Sequence, residues 1–175
     1  QAGGNAGGPS ALAATTISGT VTIAPTQDAP VVDLNGGVAG QNNAVTWTEG
    51  ANVAHVAVNI GAIATLSDSD NTNLTQMQIT VAGLSNGNNE VLKIGGVDFQ
   101  LATDYTNVTA GSFKVSYVSS TGIFTITPSG ATQTVANFQT LLRGITYTNT
   151  TDNPTSGPRS FTVQVTDAGL DDGSS

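Results

Sequence analysis

Two neighbouring carboxylates mark the first place in this chain where side chains could do chemistry. Asp68 and Asp70 flank a single residue in the segment Ser67-Asp68-Ser69-Asp70-Asn71. In a turn both carboxylates can face one point, and Asn71 adds a further oxygen. Calcium takes about six to eight oxygen ligands from converging loops, so this turn is a candidate calcium site. The alternative is a solvated acidic turn whose side chains accept hydrogen bonds from their own backbone.

A second acidic segment near the C-terminus carries Asp167, Asp171 and Asp172. If the strands run up and down, Asp167 lies at the same end of the domain as the first turn. Carboxylates gathered without a cation repel each other and raise each other's pKa, which favours a bound ion over an empty cluster. We therefore predict calcium as the ligand, although neither segment has the spacing of an EF-hand loop.

Residues suited to catalysis are sparse. The single histidine, His55, alternates with apolar neighbours, which is typical of a sheet-surface residue and not of a general base. One histidine cannot form a zinc triad, and no Gly-x-Ser-x-Gly segment occurs. We expect no enzyme. Lys93 or Lys114 could form an isopeptide bond with an asparagine, but the sequence shows no such proximity.

Four aromatic residues could form a platform on which sugars stack. In a sandwich, strand aromatics more often pack in the core, and we favour that interpretation. These residues are Trp47, Tyr105, Tyr117 and Tyr147.

Composition indicates an all-β extracellular protein. Only 9 % of the 175 residues are charged, there are 21 glycines, and cysteine is absent, so neither disulfides nor thiolate metal sites are available. The net charge of -8 and the pI near 4.1 exclude a nucleic-acid partner, whose phosphates need clustered Lys and Arg. No apolar run reaches the roughly 20 residues of a membrane span. Acidity and low Lys content favour a cell-surface location.

Short alternating segments separated by turn residues predict two packed antiparallel sheets. One helix is expected over Thr134–Leu142, where apolar residues recur at helical spacing. The predicted strands are Ala44–Glu49, Ala54–Ile60, Ala64–Leu66, Leu74–Ala82, Glu90–Ile94, Val97–Leu101, Phe113–Val118, Gly122–Thr127, Gly144–Thr148 and Arg159–Thr166.

An additional strand is predicted before the domain begins. Apolar residues alternate with polar ones over Ala11–Ile23, and then Pro25 and Pro30 interrupt any further sheet pairing. We divide the chain into an N-terminal arm with a donor strand (residues 1–23), a stiff linker (24–30) and a β-sandwich domain (31–175). The sandwich would ordinarily run one more strand after Asp167, so the arm is expected to supply it to a neighbouring copy. The side chains expected to enter that neighbour are Ala13, Ile17, Val21 and Ile23.

Several segments together resemble the bacterial cadherin-like repeats of large surface adhesins, over about residues 24 to 169. They are PTQDAPVVDLNG, WTEG, LSDSDN, LLRGITYTNTTDNPT and FTVQVTDAG. The resemblance implies an antiparallel cadherin-like or Ig-like β-sandwich with calcium near module junctions. It also implies that Glu49 and Asp28 join the calcium ligands.

Two functions compete at this point. The first is a structural subunit of an extracellular filament or sheath, a homopolymer built by donor-strand insertion and stiffened by calcium. The second is a calcium-dependent adhesin module that binds a surface or a polysaccharide, in which the first strand is the tail of a preceding repeat.

Overall fold

The structure is a computed structural model that describes residue 3 and residues 19–22, 27–49 and 57–169. These residues form an all-β, antiparallel fold with one α-helix, as predicted. The strands are β1 (Val31–Asp33), β2 (Val58–Asn59), β3 (Thr65–Ser67), β4 (Asn73–Ala82), β5 (Glu90–Ile94), β6 (Val97–Gln100), β7 (Tyr105–Ala110), β8 (Phe113–Val118), β9 (Ile123–Pro128), β10 (Gln133–Thr134), β11 (Thr146–Asn149) and β12 (Ser160–Asp167). The helix α1 spans Val135–Arg143, and a 3₁₀ turn spans Gly87–Asn89.

The larger sheet is organised around β4. Residues 77–80 of β4 pair with β9 and with β12 at once, so these two strands lie on opposite sides of β4. Beyond β9 follow β8 and then β7, which gives the order β12-β4-β9-β8-β7, and β10 pairs with the first residues of β4. Among the described residues β12 and β7 are therefore the two edges of this sheet.

A smaller sheet packs against the larger one. Its order is β2-β11-β5-β6, and β1 and β3 form a separate two-stranded ribbon. Buried side chains from both sheets meet in one hydrophobic core, in which Tyr117 stacks on Phe124 and the edge of Phe99 contacts Phe124. Alternate residues of β4 are buried, including Met77 and Ile79, as the period of two requires. The result is a β-sandwich.

The helix closes one end of this core where it was predicted. The Thr134 side chain accepts a hydrogen bond from the Asn137 N–H and caps its N-terminus. The apolar side of the helix consists of Phe138, Leu141 and Leu142, which are buried. Within the described residues no helix is long and apolar enough to span a membrane.

The strand predictions need two corrections. Ala44–Glu49 forms no strand, and of Ala54–Ile60 only Val58–Asn59 forms one within the described part. Conversely, β1 and β7 were not predicted. β7 contains a register shift between Tyr105 and Val108, and Asn107 takes a φ of 51°, so the alternation that reveals a strand is interrupted there.

Within the arm the structure describes residue 3 and residues 19–22, none of which belongs to a strand. Val21 is 86 % exposed. Ala13, Ile17 and Ile23 lie outside the described residues. The donor strand therefore stays a prediction.

Candidate functional site

Three carboxylates meet at one end of the sandwich, and we call Asp68, Asp70 and Asp167 the acidic cluster. The turn between β3 and β4 carries Asp68 and Asp70, while Asp167 ends β12 and pairs with Leu74 at the start of β4. One oxygen from each carboxylate lies within 4.8 Å of the others. The spacing of the turn and the up-and-down order of strands thus bring together the carboxylates that the sequence indicated.

Backbone hydrogen bonds hold these carboxylates in place. Asp68 Oδ1 accepts the N–H groups of Asp70 at 3.2 Å and Asn71 at 3.1 Å, which closes the turn around its own side chain. Asp167 Oδ1 accepts the N–H of Gly169 at 3.0 Å. The Thr75 hydroxyl donates to the Asp167 carbonyl at 2.7 Å, beside a register shift that turns the end of β12. The turn and the strand end are therefore fixed relative to each other.

The linker is bonded to the same cluster. The Asp28 N–H donates to Asp70 Oδ2 at 2.9 Å, and the Ser69 hydroxyl donates to Asp28 Oδ2 at 2.9 Å. The Gln27 amide donates to Asp167 Oδ1 at 2.6 Å. These contacts, which we call the linker clamp, bring the Asp28 carboxylate to the Ser69 hydroxyl in the turn between the two clustered aspartates. The linker is thereby attached to the end of the sandwich.

Several buried polar atoms of this region lack a hydrogen-bond partner among the described residues. They are Asp68 Oδ2, Asp70 Oδ1 and both polar atoms of the Asn71 side chain. Asn71 is only 4 % exposed. Buried polar atoms without partners cost free energy, and a bound cation would satisfy the oxygens. All the donor atoms that could face such an ion are oxygens, which suits a hard cation.

The two carboxylates of the turn have pKa values shifted in opposite directions. Burial raises the pKa of Asp68, and the adjacent Asp70 carboxylate raises it further. The Asp28 N–H lowers the pKa of Asp70 by stabilising its ionised form. Ionising Asp68 therefore costs free energy, and a cation bound to its carboxylate would offset that cost.

Of the three remaining predicted ligands, the structure describes only Glu49. Glu49 lines a cavity between the two sheets and is not among the carboxylates that the structure gathers at the cluster. Asp171 and Asp172 lie outside the described residues. Gln27, by contrast, was not predicted to contribute, because no local pattern signals a contact between residues 140 positions apart.

A second feature is the open side of the sandwich next to β12. Within the described residues β12 pairs with β4 alone; β1 lies close to β12 but is not hydrogen-bonded to it. Its inward-facing residues Phe161, Val163 and Val165 are only half-buried, although they pack against the core. The smaller sheet ends on the same side with the two-residue strand β2.

A cavity of about 790 Å³ lies between these two sheet edges. Its apolar lining includes Leu34, Val58, Ile60, Tyr147 and Phe161. The segment 42–49, which contains Trp47, also lines the cavity. We call this cavity, together with the adjacent edge of β12, the seam. The seam is a gap where both sheets of the sandwich end.

A buried ion pair that the sequence analysis did not identify adjoins the seam through Arg159, which lines the cavity. Glu90 is 0 % exposed and accepts hydrogen bonds from Arg159 at 2.6 Å and from the Tyr147 hydroxyl at 2.9 Å on one oxygen. Its other oxygen accepts the N–H groups of Ser85 and Asn86, each at 2.7 Å. A lone Glu at the start of an apolar strand was the signal that could have indicated it.

This network shifts the pKa values of its members. Burial alone would raise the pKa of Glu90, but the hydrogen bonds from Asn86, Arg159 and Ser85 more than offset it, so the pKa lies below the usual range. Burial and the adjacent Glu90 carboxylate raise the pKa of Tyr147 to about 12. Glu90 is therefore ionised at neutral pH while Tyr147 remains a hydrogen-bond donor.

The other predicted chemistry has these outcomes. Tyr117 and Tyr147 are buried, which confirms their place in the core. Lys93 pairs with Asp98 at 3.3 Å, and Lys114 donates to the Thr109 hydroxyl, so the polar contacts of both lysines are with side chains other than asparagine. His55 lies outside the described residues.

Comparison with protein-family models, with curated proteins and with solved structures finds no match to this chain. Its function must therefore follow from the acidic cluster, the linker clamp and the seam.

Proposed function

We propose that the chain is a structural subunit of an extracellular filament or sheath, in which the N-terminal arm of one copy completes the sandwich of the next. Calcium in the acidic cluster fixes the base of the arm. The observation that carries this proposal is the linker clamp, since Gln27 and Asp28 bond the linker to Asp167 and Asp70. Residues 19–22 of the arm belong to no strand of the same copy, and Val21 is 86 % exposed.

The donor atoms of the cluster suit calcium. Calcium takes carboxylate and amide oxygens in flexible geometries, whereas magnesium prefers a strict octahedron and keeps several waters. One oxygen from each of the three carboxylates lies within 4.8 Å of the others. The buried Asn71 side-chain oxygen adds a further donor atom in the same turn. Water molecules would complete the roughly six to eight ligands.

The chemistry of the arm supports self-association. Each copy carries a net charge of -8, so two copies repel unless they meet through uncharged surfaces. Residues 11–23 contain no charged side chain, and apolar residues alternate with Thr and Ser over most of that range. Because a donor strand and its receiving groove are different surfaces, their contact is heterologous and generates an open fibre.

A second candidate function rests on the same linker clamp. In a calcium-dependent adhesin module, the clamp would hold the junction between a preceding repeat and this one. Such a module would bind calcium but would stay monomeric. Polysaccharide binding belongs to this candidate.

Electron microscopy and sedimentation of the purified chain, with calcium and with EGTA, test the proposal. We expect filaments with calcium, shorter or fewer filaments with EGTA, and none when residues 1–23 are deleted. Particles that stay monomeric in every condition would overturn the filament proposal and favour the adhesin module. Calcium binding itself is measured separately by calorimetry, so that loss of metal and loss of assembly are distinguished.

A further inference from the structure

We infer that the seam is the docking site for the arm of a second copy, residues 11–23, which adds to the sheet beside β12. This inference rests on the proposed function and names the surface that receives the arm. It is carried by three observations: the edge of β12 without a hydrogen-bonded partner strand among the described residues, the incompletely covered apolar residues beside it, and the exposed position of residues 19–22 in the copy's own arm.

The edge of β12 is suited to strand addition. Among the described residues it pairs with β4 over Ser160–Asp167 and presents its other side without a partner strand. An unpaired edge carries backbone N–H and C=O groups that a further strand can bond. Next to this edge Phe161, Val163 and Val165 face inward and are half-buried. An added strand with apolar side chains at every second position would cover them.

The arm has the composition that this surface requires. Ile17, Val21 and Ile23 lie two or four positions apart and therefore share one face of an extended chain. On the outward face of β12 the residues Ser160, Thr162, Gln164 and Thr166 are exposed and uncharged. Neither surface adds a charge that would oppose the approach of two acidic copies.

The exposed position of residues 19–22 favours a second copy as the donor. The linker clamp holds Gln27 at the Asp167 end of β12. The cavity lies at the other end, beside Ser160, Phe161 and Thr162. Residues 19–22 of the same copy lie exposed and do not line this cavity.

Trp47 provides a direct reporter, since it is the only tryptophan and it lines the cavity. The acceptor is the full chain carrying Ile17→Asp and Val21→Asp, so that its own arm cannot compete. A synthetic peptide of residues 11–23 is titrated into it while tryptophan emission is recorded. We expect saturable binding with a change of emission. A peptide with Val21→Asp should bind at least about tenfold more weakly, because it buries an unpaired charge, whereas the matched peptide with Thr20→Asp should lose less than about threefold.

The same peptide is then added in excess to the unmodified chain under filament-forming conditions. Peptide binding together with loss of filaments supports the inference. Filaments that form regardless, without any emission change on peptide addition, would overturn the seam as the docking site and leave the proposed function standing. A chain that stays monomeric while the acceptor variant binds the peptide would mean that the seam takes its own arm, and this would overturn both the second copy and the filament.

Discussion

At the scale of single residues, Asp167 combines two roles. It ends β12 in register with Leu74, and its carboxylate belongs to the acidic cluster. The position of one strand end thus determines the geometry of a candidate metal site. Asp70 is the complementary residue, because it is bonded to the linker through the Asp28 N–H.

Replacing Asp70 by Asn should weaken calcium binding. The variant removes one anionic ligand while keeping the shape of the side chain. With calcium at about 100 times the Kd, the unmodified chain should gain about 2.7 kcal/mol of unfolding free energy, and the variant should lose most of this gain. Thermal unfolding with calcium and with EGTA measures it. Asp98→Asn, at an exposed ion pair with Lys93, is the matched control and should respond to calcium like the unmodified chain. An equal calcium response in both variants would contradict the assignment of the site.

The buried ion pair of Glu90 and Arg159 gives a prediction with a defined pH dependence. Glu90→Gln leaves the Arg159 charge without its partner and should destabilise the fold by about 3–5 kcal/mol at neutral pH. The pKa of Glu90 is lowered in the folded state, so its contribution is present above its ordinary pKa of 4.5 and is lost as the pH falls through the folded value. Urea unfolding at several pH values tests this, and the gap between the two proteins should narrow in acid. A gap that widens in acid would contradict the role given to Glu90.

The residues of the acidic cluster were partly predictable from the sequence. The Asp-x-Asp spacing determines that Asp68 and Asp70 share a turn, and an up-and-down strand order is enough to bring Asp167 to the same end. The proximity of Asp28 was available only through the family resemblance. The Gln27 contact with Asp167, across 140 positions, could not be predicted because it depends on the path of the linker over the finished fold.

At the scale of elements, regular alternation predicted β4, β5 and β8 well, and apolar residues at helical spacing predicted the helix α1. β7 was missed because its register shift, with Asn107 at a positive φ, breaks the period of two. Apolar and polar residues alternate over Ala44–Glu49, but this segment forms no strand. It lines the cavity and pairs with neither sheet edge within the described residues. Local pattern predicts a strand only where a partner edge is in reach.

The two edges of the larger sheet allow a controlled test of strand addition. Thr162→Lys places a charge on β12, and Thr106→Lys makes the same change on β7 at the opposite edge; both positions are exposed. A lysine on a receiving edge opposes strand pairing. We expect Thr162→Lys to abolish or greatly slow filament formation and Thr106→Lys to leave it close to normal. The free energy of unfolding of each variant should stay within about 0.5 kcal/mol of that of the unmodified chain. Equal effects on assembly would show that β12 has no special role.

At the scale of the whole molecule, net charge sets the conditions for assembly. Each copy has four basic and twelve acidic residues. Two copies therefore repel each other over distances comparable to the Debye length, which is about 8 Å at physiological ionic strength. The arm and the outward face of β12 are uncharged and contribute little to this repulsion.

Assembly should therefore accelerate as sodium chloride is raised from low to physiological concentration. Screening lowers the repulsion between acidic copies without weakening an uncharged contact. Light scattering over time measures the rate, at a fixed calcium concentration and with sulfate avoided so that only ionic strength changes. A rate that falls with salt would indicate that attraction between opposite charges drives the contact.

The linker clamp also determines how a fibre of such copies would carry tension. A pull on the arm enters the sandwich through Gln27 and Asp28 at the shared end of β12 and β4. It would leave through the neighbour's arm lying along β12, so the hydrogen bonds of that edge would be loaded in shear and would have to break together instead of one at a time. If calcium bridged the carboxylates at the point of attachment, the mechanical strength of each joint would depend on the surrounding calcium concentration.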